Sequence, residues 1–333
     1  MDFLKEGTPM KMTHLLTIHD VMNHELDELF MQADALMKVY SGNKQGIVSC
    51  KLNRTHDDKT MATLFLEPSL RTRLSFESAM LRLGGKVVSS AGSEATSAAK
   101  GESLADMIRT VSEYADIVVV RSPKPVTEWG SVNVPVPIIN AGSSHLDHPT
   151  QAMIDAFTIW RHYGSKSQSP IQDGITIGIV GDLSKSRAIR SFVQLMGRSP
   201  MNRFFLYDST GRGEKLCGYQ QMTNDFTYME SITQFEERLP ELDVLYLNRI
   251  QSERWTECPR VNGAAFKPFV FRKDHLSRMK KSAIVLNPGP RREELPDSVI
   301  DLEGVKFWKQ VRNGLYLRMA LIHGTLHLNE AKC

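Results

Sequence analysis

Short apolar runs closed by turn residues alternate along the chain with stretches whose apolar positions recur at helical spacing. In the first half, "ATLFLE" (Ala62–Glu67), "KVVSS" (Lys86–Ser90), "DIVVVRS" (Asp116–Ser122) and "VPIINAG" (Val136–Gly142) read as buried strands. Between the first two, Phe76, Ala79, Met80 and Leu83 fall on one helical face, and Gly84-Gly85 closes the helix. A second series begins at "ITIGIVGDL" (Ile175–Leu183) and continues through "RFFLYDS" (Arg203–Ser209), "LDVLYLNRI" (Leu242–Ile250) and "AIVLNPG" (Ala283–Gly289). A helix carrying Ile189, Phe192, Val193 and Met196 on one face follows the first of these. The pattern of Pro149–Gly164 predicts a helix bridging the halves, with Pro149 at its first position. The Lys166–Gly174 stretch reads as a polar linker, and Asn313–Leu328, apolar nearly all round, as a buried helix. The alternation predicts an α/β fold of two domains, each a parallel sheet flanked by helices, with a cleft between them.

Composition narrows the class. The 333 residues suit about two domains at ~150 residues each, and 41% hydrophobic with 24% charged residues describes an ordinary globular chain. Lys+Arg of 41 against Asp+Glu of 38 leaves a net charge of +3, too mild to imply nucleic acid or a membrane surface without a clustered basic face. The pairs Lys280-Lys281 and Arg291-Arg292 read as solvated charges. The cysteines Cys50, Cys217, Cys258 and Cys333 are widely spaced, without metal-ligand or disulfide patterning. The first residues lack an apolar signal core, and no run approaches the ~18 apolar residues of a membrane span, so a cytoplasmic protein is expected.

In open α/β sheets ligands gather at the carboxyl ends of strands, and here those ends are basic. "EPSLRTRLSFE" (Glu67–Glu77) places Arg71 and Arg73 at a helix start, with Ser69 and Thr72 beside them. One reading is an exposed helix start with Ser69 as N-cap. The other is a phosphate held by backbone N–H groups and guanidinium forks together. Arginine opposes the helix dipole unless an anion sits there, and Arg121 arrives at the same sheet edge, so phosphate is the favoured reading. His148, directly before Pro149, can cap the following helix or polarise a carbonyl through a neutral N–H. Gln151, one turn on, can bind an amide or carbamoyl NH₂. Arg187, Arg249 and Gln251 follow strands of the second half. Singly each suits a surface position; together they suit a ligand with two carboxylates. "GIVGDLSKSR" lacks the glycine spacing of a dinucleotide site, which speaks against an oxidoreductase.

With these residues in view, the chain resembles the aspartate/ornithine carbamoyltransferase family from about His14–Val21 to the final helix. The motifs S-x-R-T-R, K-G-E-[ST]-L-A-D, H-P-T-Q and R-x-Q after "VLYLN" occur in the family's order. The resemblance implies a carbamoyl phosphate-binding domain over 1–148, with a helix at about 313–330 packing back on it, and an acceptor-binding domain over 149–312. It implies a homotrimer with shared active sites, no cofactor and no metal, and leaves room for a regulatory subunit. Ser69, Leu70, Arg71, Thr72 and Arg73 match the phosphate turn, while Arg121, His148 and Gln151 match the groups at the carbamoyl end. Lys100 matches the loop lysine that reaches a neighbouring subunit's site, with Thr96 or Ser97 near the family's loop serine. Arg71, Thr72, Lys100, Arg121 and His148 are the expected catalytic set. Arg187, Arg249 and Gln251 match aspartate-binding side chains, and Pro288 with Gly289 the loop whose carbonyls meet the acceptor.

The chain departs from the family pattern at several of these places. Leu70 replaces a threonine, Ser122 a histidine, and "AGSSHLDHPTQ" lacks the frequent Gly-Asp-Gly. "LNPGPR" (Leu286–Arg291) stands where aspartate-type members read L-H-P-L-P-R, with room for a cis Gly289-Pro290 bond. Ornithine-type H-C-L-P and S-M-G motifs are absent. The implied function is carbamoyl transfer to L-aspartate in pyrimidine synthesis. Transfer to another amine, or a non-catalytic partner subunit, are the alternatives.

Overall fold

A computed structural model describes residues 14–42, 55–92, 97–164, 171, 174–211, 213, 215–216, 222–251, 260–261, 264–265 and 269–330. Thr96, the cysteines, the first residues and most of the Lys166–Gly174 stretch lie outside them. The chain divides into two compact units, one of Met1–Phe157 with Val311–Cys333 and one of Thr158–Gln310.

The first unit holds α1 (Asn23–Gly42), β1 (Thr60–Phe65), α2 (Leu70–Arg82), β2 (Lys86–Ala91), α3 (Leu104–Ser112), β3 (Ile117–Ser122) and β4 (Ile138–Ser143). Its strands are parallel in the order β2-β1-β3-β4. β1 and β3 lie inside this sheet and are buried on both faces, which suits the apolar run Ile117–Val120 of β3 and the small and apolar residues of β1. Ala62, Leu64, Val118 and Val120 pack with Leu104, Met107 and Ile108 of α3 and with Trp129. β2 departs from its reading as a buried strand: it is the sheet's edge, and Val88 is 49% exposed. Its mixed "KVVSSA" composition suits that place.

The second unit holds β5 (Thr176–Gly181), α5 (Arg187–Met196), β6 (Arg203–Asp208), β7 (Asp225–Met229), α6 (Ile232–Glu237), β8 (Val244–Leu247), the short β9 (Arg260–Val261) and β10 (Ala264–Ala265), α7 (Lys273–Arg278) and β11 (Ile284–Leu286). The strands β11-β8-β5-β6-β7 form a parallel sheet. Its core joins Phe205, Leu245, Leu247 and Val285 to Phe235, Phe269, Phe271 and Leu295.

Helix α8 (Phe307–Glu330) begins earlier than the apolar pattern suggests, because its first turns expose Trp308 and Val311 while burying Phe307 and Gln310. The bridging helix α4 (Pro149–Tyr163) carries the chain from one unit into the other. The change of unit falls inside this helix, not ahead of it at 148/149. Its first turns belong to the first unit, where Phe157 meets Phe30 of α1 at 5.2 Å between ring centroids. Its last turn belongs to the second: Tyr163 donates to the Asp243 carbonyl at 2.8 Å, and His162 Nε2 lies 2.8 Å from the Ser282 carbonyl oxygen. In each unit the parallel strands deliver their carboxyl ends to one edge.

Candidate functional site

At the carboxyl edge of the first sheet, β1 and β3 end level: Phe65 is the register partner of Arg121, and Leu66 N–H donates to the Arg121 carbonyl at 2.9 Å. The chain leaves β1 through Glu67-Pro68-Ser69 and enters α2. Ser69 holds the N-cap position in extended conformation, yet its hydroxyl makes no capping hydrogen bond, and the first turn contains no acid. The start of α2 thus has neither a side-chain cap nor a carboxylate and carries Arg71 and Thr72 in its first turn; free N–H groups and the dipole at a helix start favour negative charge. Leu70 is 72% exposed, so the threonine-to-leucine departure places an apolar side chain on the surface. Thr72 is buried.

Arg121 is held at this edge from two sides. Its Nη1 donates to the Ala141 carbonyl of β4 at 3.2 Å, and its Nε lies 3.5 Å from a Glu67 carboxylate oxygen. Arg73 follows Thr72 at the start of α2. Its Nε is 3.7 Å from Glu77, which also accepts from Ser89 of β2 at 2.7 Å and from Thr63 of β1 at 3.3 Å. Arg73 is thus tied back to the sheet through an anchored carboxylate.

The connection from β4 to α4 is tight. Ser143 and Asp147 exchange backbone hydrogen bonds, 2.9 Å and 3.2 Å, across a turn in which Gly142 and Ser144 have positive φ. Ser122, standing where the family has histidine, accepts from the Lys124 N–H at 3.0 Å and so closes the turn after β3. His148, buried, occupies the N-cap of α4, and its carbonyl accepts from the Gln151 and Ala152 N–H groups. Gln151 Nε2 donates to Asp155 Oδ1 at 2.8 Å. Lys100 ends an exposed 3-10 turn over Ser97–Lys100, in which the Ser97 hydroxyl bonds the Glu102 carboxylate.

In the second unit the neighbouring strands β11, β8 and β5 bring their ends side by side. After β5, the buried Asp182 accepts from the Lys185 N–H at 2.8 Å, Ser186 caps α5 by accepting from the Ile189 N–H, and Arg187 opens the helix with 6% of its surface exposed. After β8, Asn248 N–H donates to the Val180 carbonyl at 2.8 Å. A Cβ on Gly181 would stand 2.7 Å from Asn248 Cβ, so only glycine lets these strand ends approach. Arg249 follows, its Nη1 donating to the Ile250 carbonyl at 3.1 Å, and then Gln251, buried.

After β11 stands a set of supporting residues that motif reading does not reach. Asn287, 2% exposed, accepts from the Gly289 N–H at 2.7 Å and donates its Nδ2 to Glu294 at 2.9 Å, while its backbone N–H donates to Gln310 at 2.9 Å. The amide at this position therefore organises the Pro288-Gly289 turn, where Gly289 has φ +67° and a cis bond to Pro290. Arg291 is not the solvated charge its pair suggests: it donates to the Leu295 carbonyl and bonds the Asp297 carboxylate. Glu294 is 5% exposed; its place in the polar run "RREEL" gave no signal of burial. Among the described residues, no cluster of His, Cys, Asp or Glu could hold a metal ion, and no helix is long and apolar enough to cross a membrane.

Comparison with known proteins bears on the whole chain. Residues 13–161 match the family model described as aspartate/ornithine carbamoyltransferase, carbamoyl-P binding domain, and residues 173–325 its Asp/Orn binding domain. The aspartate carbamoyltransferase catalytic subunit of Clostridium novyi is 37% identical over 315 residues, 93% of this chain and 96% of that protein. That of Thermoplasma volcanium is 35% identical over 318 residues, 95% and 99%. Among solved structures, Trypanosoma cruzi aspartate transcarbamoylase in complex with carbamoyl aspartate and phosphate superposes with a TM-score of 0.80 at 30% identity, covering 95% of this chain and 96% of that one. The M. jannaschii catalytic subunit gives 0.78 at 33% identity, covering 96% and 99%. Basic strand ends in two parallel-sheet units, matched end to end by both domain families and by these relatives, make this chain a member of the aspartate/ornithine carbamoyltransferase family.

Proposed function

We propose that the chain transfers the carbamoyl group of carbamoyl phosphate to the amine of L-aspartate, giving N-carbamoyl-L-aspartate and phosphate, as a step of pyrimidine synthesis. The observation that carries the donor half is the uncapped, acid-free start of α2 bearing Arg71 and Thr72, with Arg121 fixed at the same sheet edge. The acceptor half rests on Arg187, Arg249 and Gln251 at neighbouring strand ends of the second unit, a pattern suited to two carboxylates. Relatives crystallised with carbamoyl phosphate, with carbamoyl aspartate and with phosphonacetyl-aspartate support both.

In this reading Ser69, Leu70, Arg71, Thr72 and Arg73 form the phosphate turn through backbone N–H groups and guanidinium forks. The uncharged amine of aspartate attacks the carbamoyl carbon, and negative charge builds on the carbonyl oxygen. Thr72, Arg121 and His148 stabilise that charge. The C–O bond to phosphate then breaks, and the departing phosphate accepts the amine's proton, so the reaction asks for no protein base and no cofactor. Alignment of two anionic substrates by fixed cations supplies much of the rate. The chain acts in the cytoplasm as a homotrimer, with Lys100 on its exposed turn completing the site of a neighbouring copy and Thr96 or Ser97 as the counterpart of the family's loop serine. A regulatory chain is compatible with this arrangement.

One observation favours a second reading. Gly289, set by Asn287, removes a side chain from the acceptor loop. A larger or differently substituted amine then takes the place of aspartate. Phosphate release from carbamoyl phosphate, measured with L-aspartate beside a panel of other amino acids, separates the two. Turnover with aspartate alone is the expected result. Turnover only with another amine moves the assignment to that acceptor, and release with none of them overturns carbamoyl transfer.

A further inference from the structure

The first turns of α4 contain a buried charge that the reaction as described does not use. Asp155 is 0% exposed and lies one turn beyond Gln151, whose Nε2 it accepts at 2.8 Å. Arg318 of α8 stands near it. Its guanidinium is buried, stacks over Phe76 of α2 at 4.8 Å from the ring centroid, and donates through Nη2 to the Thr150 hydroxyl at 3.4 Å. Burial lowers the Arg318 pKa to about 9, against the opposing pull of the Asp155 charge. Three helices thus meet at one point: α8 supplies the cation, α4 the carboxylate and the amide, and α2 the aromatic ring. A buried charge set of this kind costs stability unless its members are paired and hydrogen-bonded.

Its consequence follows from hydrogen-bond polarity. A carboxylate only accepts, so it takes the nitrogen end of the Gln151 amide and leaves the carbonyl oxygen as the end offered to a ligand. A carbamoyl NH₂ only donates and needs that oxygen. With the amide reversed, two NH₂ groups would face each other.

We propose that Asp155, backed by Arg318, is a positioning residue that fixes the Gln151 amide so that the site selects a carbamoyl group over other acyl phosphates. The inference rests on the assignment of carbamoyl phosphate to the first unit. In Asp155→Asn the Arg318 donors draw the new carbonyl oxygen, the new NH₂ turns to Gln151, and the Gln151 amide reverses. Binding of carbamoyl phosphate, acetyl phosphate and inorganic phosphate to the full chain is measured by calorimetry. Acetyl phosphate carries a methyl group in place of the NH₂, and inorganic phosphate carries neither.

For Asp155→Asn, carbamoyl phosphate affinity falls by about tenfold or more, the order expected for a mispaired buried hydrogen-bonding group. Acetyl phosphate and inorganic phosphate bind as in the parent chain. In a Gln151→Ala background the Asp155→Asn change has no further effect on the carbamoyl preference, a non-additivity that a purely structural role would not produce. Equal weakening of all three ligands, a preserved carbamoyl preference, or additive effects would overturn the inference. Should Asp155→Asn not fold, Gln151→Ala alone, at a half-buried position, still decides: it must lose the carbamoyl-over-acetyl preference, and keeping it refutes the role. A parent chain that does not prefer carbamoyl phosphate to inorganic phosphate overturns the donor assignment itself, and this inference with it.

Discussion

His148 is buried at the N-cap of α4, and its carbonyl accepts from the Gln151 and Ala152 N–H groups. In the proposed reaction a buried imidazole at this place acts on the developing oxyanion with little reorganisation. His148→Ala should therefore lower kcat by about a hundredfold or more, the range for loss of one such donor, while the Kd of carbamoyl phosphate changes far less. Equal losses in both would show ground-state binding instead. The contrast with Asn287 is instructive at the same scale. Its difference from the family pattern is visible in the sequence, but its work is not. Three hydrogen bonds from one residue, to Gly289, Glu294 and Gln310, arise only once the chain is folded. Asp155 and Arg318 were illegible for the same reason. Each is one more polar letter in a helical stretch, and only burial and a partner distant in sequence give it meaning. Arg71, Thr72, Arg121, His148, Arg187 and Arg249 could be picked out because they cluster just after apolar runs, where the strand-end rule assigns polar residues a place.

Among the elements, buried strands were the readable ones: "DIVVVRS" and "ITIGIVGDL" carry enough continuous apolar character to name themselves. β2 and β7, at the sheet edges, have mixed surfaces, and their exposure depends on which neighbour is missing. The last helix was readable only in its apolar stretch, and one feature of it carries a prediction. His323 and His327 of α8 pack against His56 in the turn before β1. His56 Nε2 lies 3.0 Å from His323 Nδ1, and the His56 and His327 ring centroids are 5.6 Å apart. His56 is fully buried. Burial first, then the neighbouring His327, lower its pKa to about 4, against an opposing pull from Asp58 and with a lesser lowering from Lys59. Its folded pKa lies below its unfolded value near 6.5, so the unfolded chain binds the proton first. The stability held by neutral His56 is complete above about pH 6.5 and is lost as pH falls toward 4. The shift corresponds to about 3 kcal/mol at most. Chemical unfolding at pH 7 and pH 4.5 should show that the parent chain loses more stability than His56→Gln over this interval. Matching losses in the two chains would remove His56 as the cause.

For the whole molecule, the question is whether one copy of the chain is enough. The proposed phosphate turn is built by residues of one unit, yet Lys100 stands on an exposed turn after the edge strand β2, and its neighbour Ser97 is engaged with Glu102. Among the described residues β2 has a strand on one side only, and an unpaired sheet edge can meet another chain. The proposed trimer gives that surface a use, because a lysine presented outward can neutralise phosphate bound by another copy. Symmetry then makes the exchange reciprocal around a closed ring. Two inactive variants test this directly. Lys100→Ala chains keep an intact phosphate turn, and Arg71→Ala chains keep an intact lysine. When the two are mixed, dissociated and reassembled, some sites receive Arg71 from one chain and Lys100 from the other, and these should recover activity. Phosphate release from the mixture, beside each variant alone, reads the result. If mixed assemblies are shown by native mass spectrometry to form and no activity returns, each copy works with its own lysine and the shared site falls.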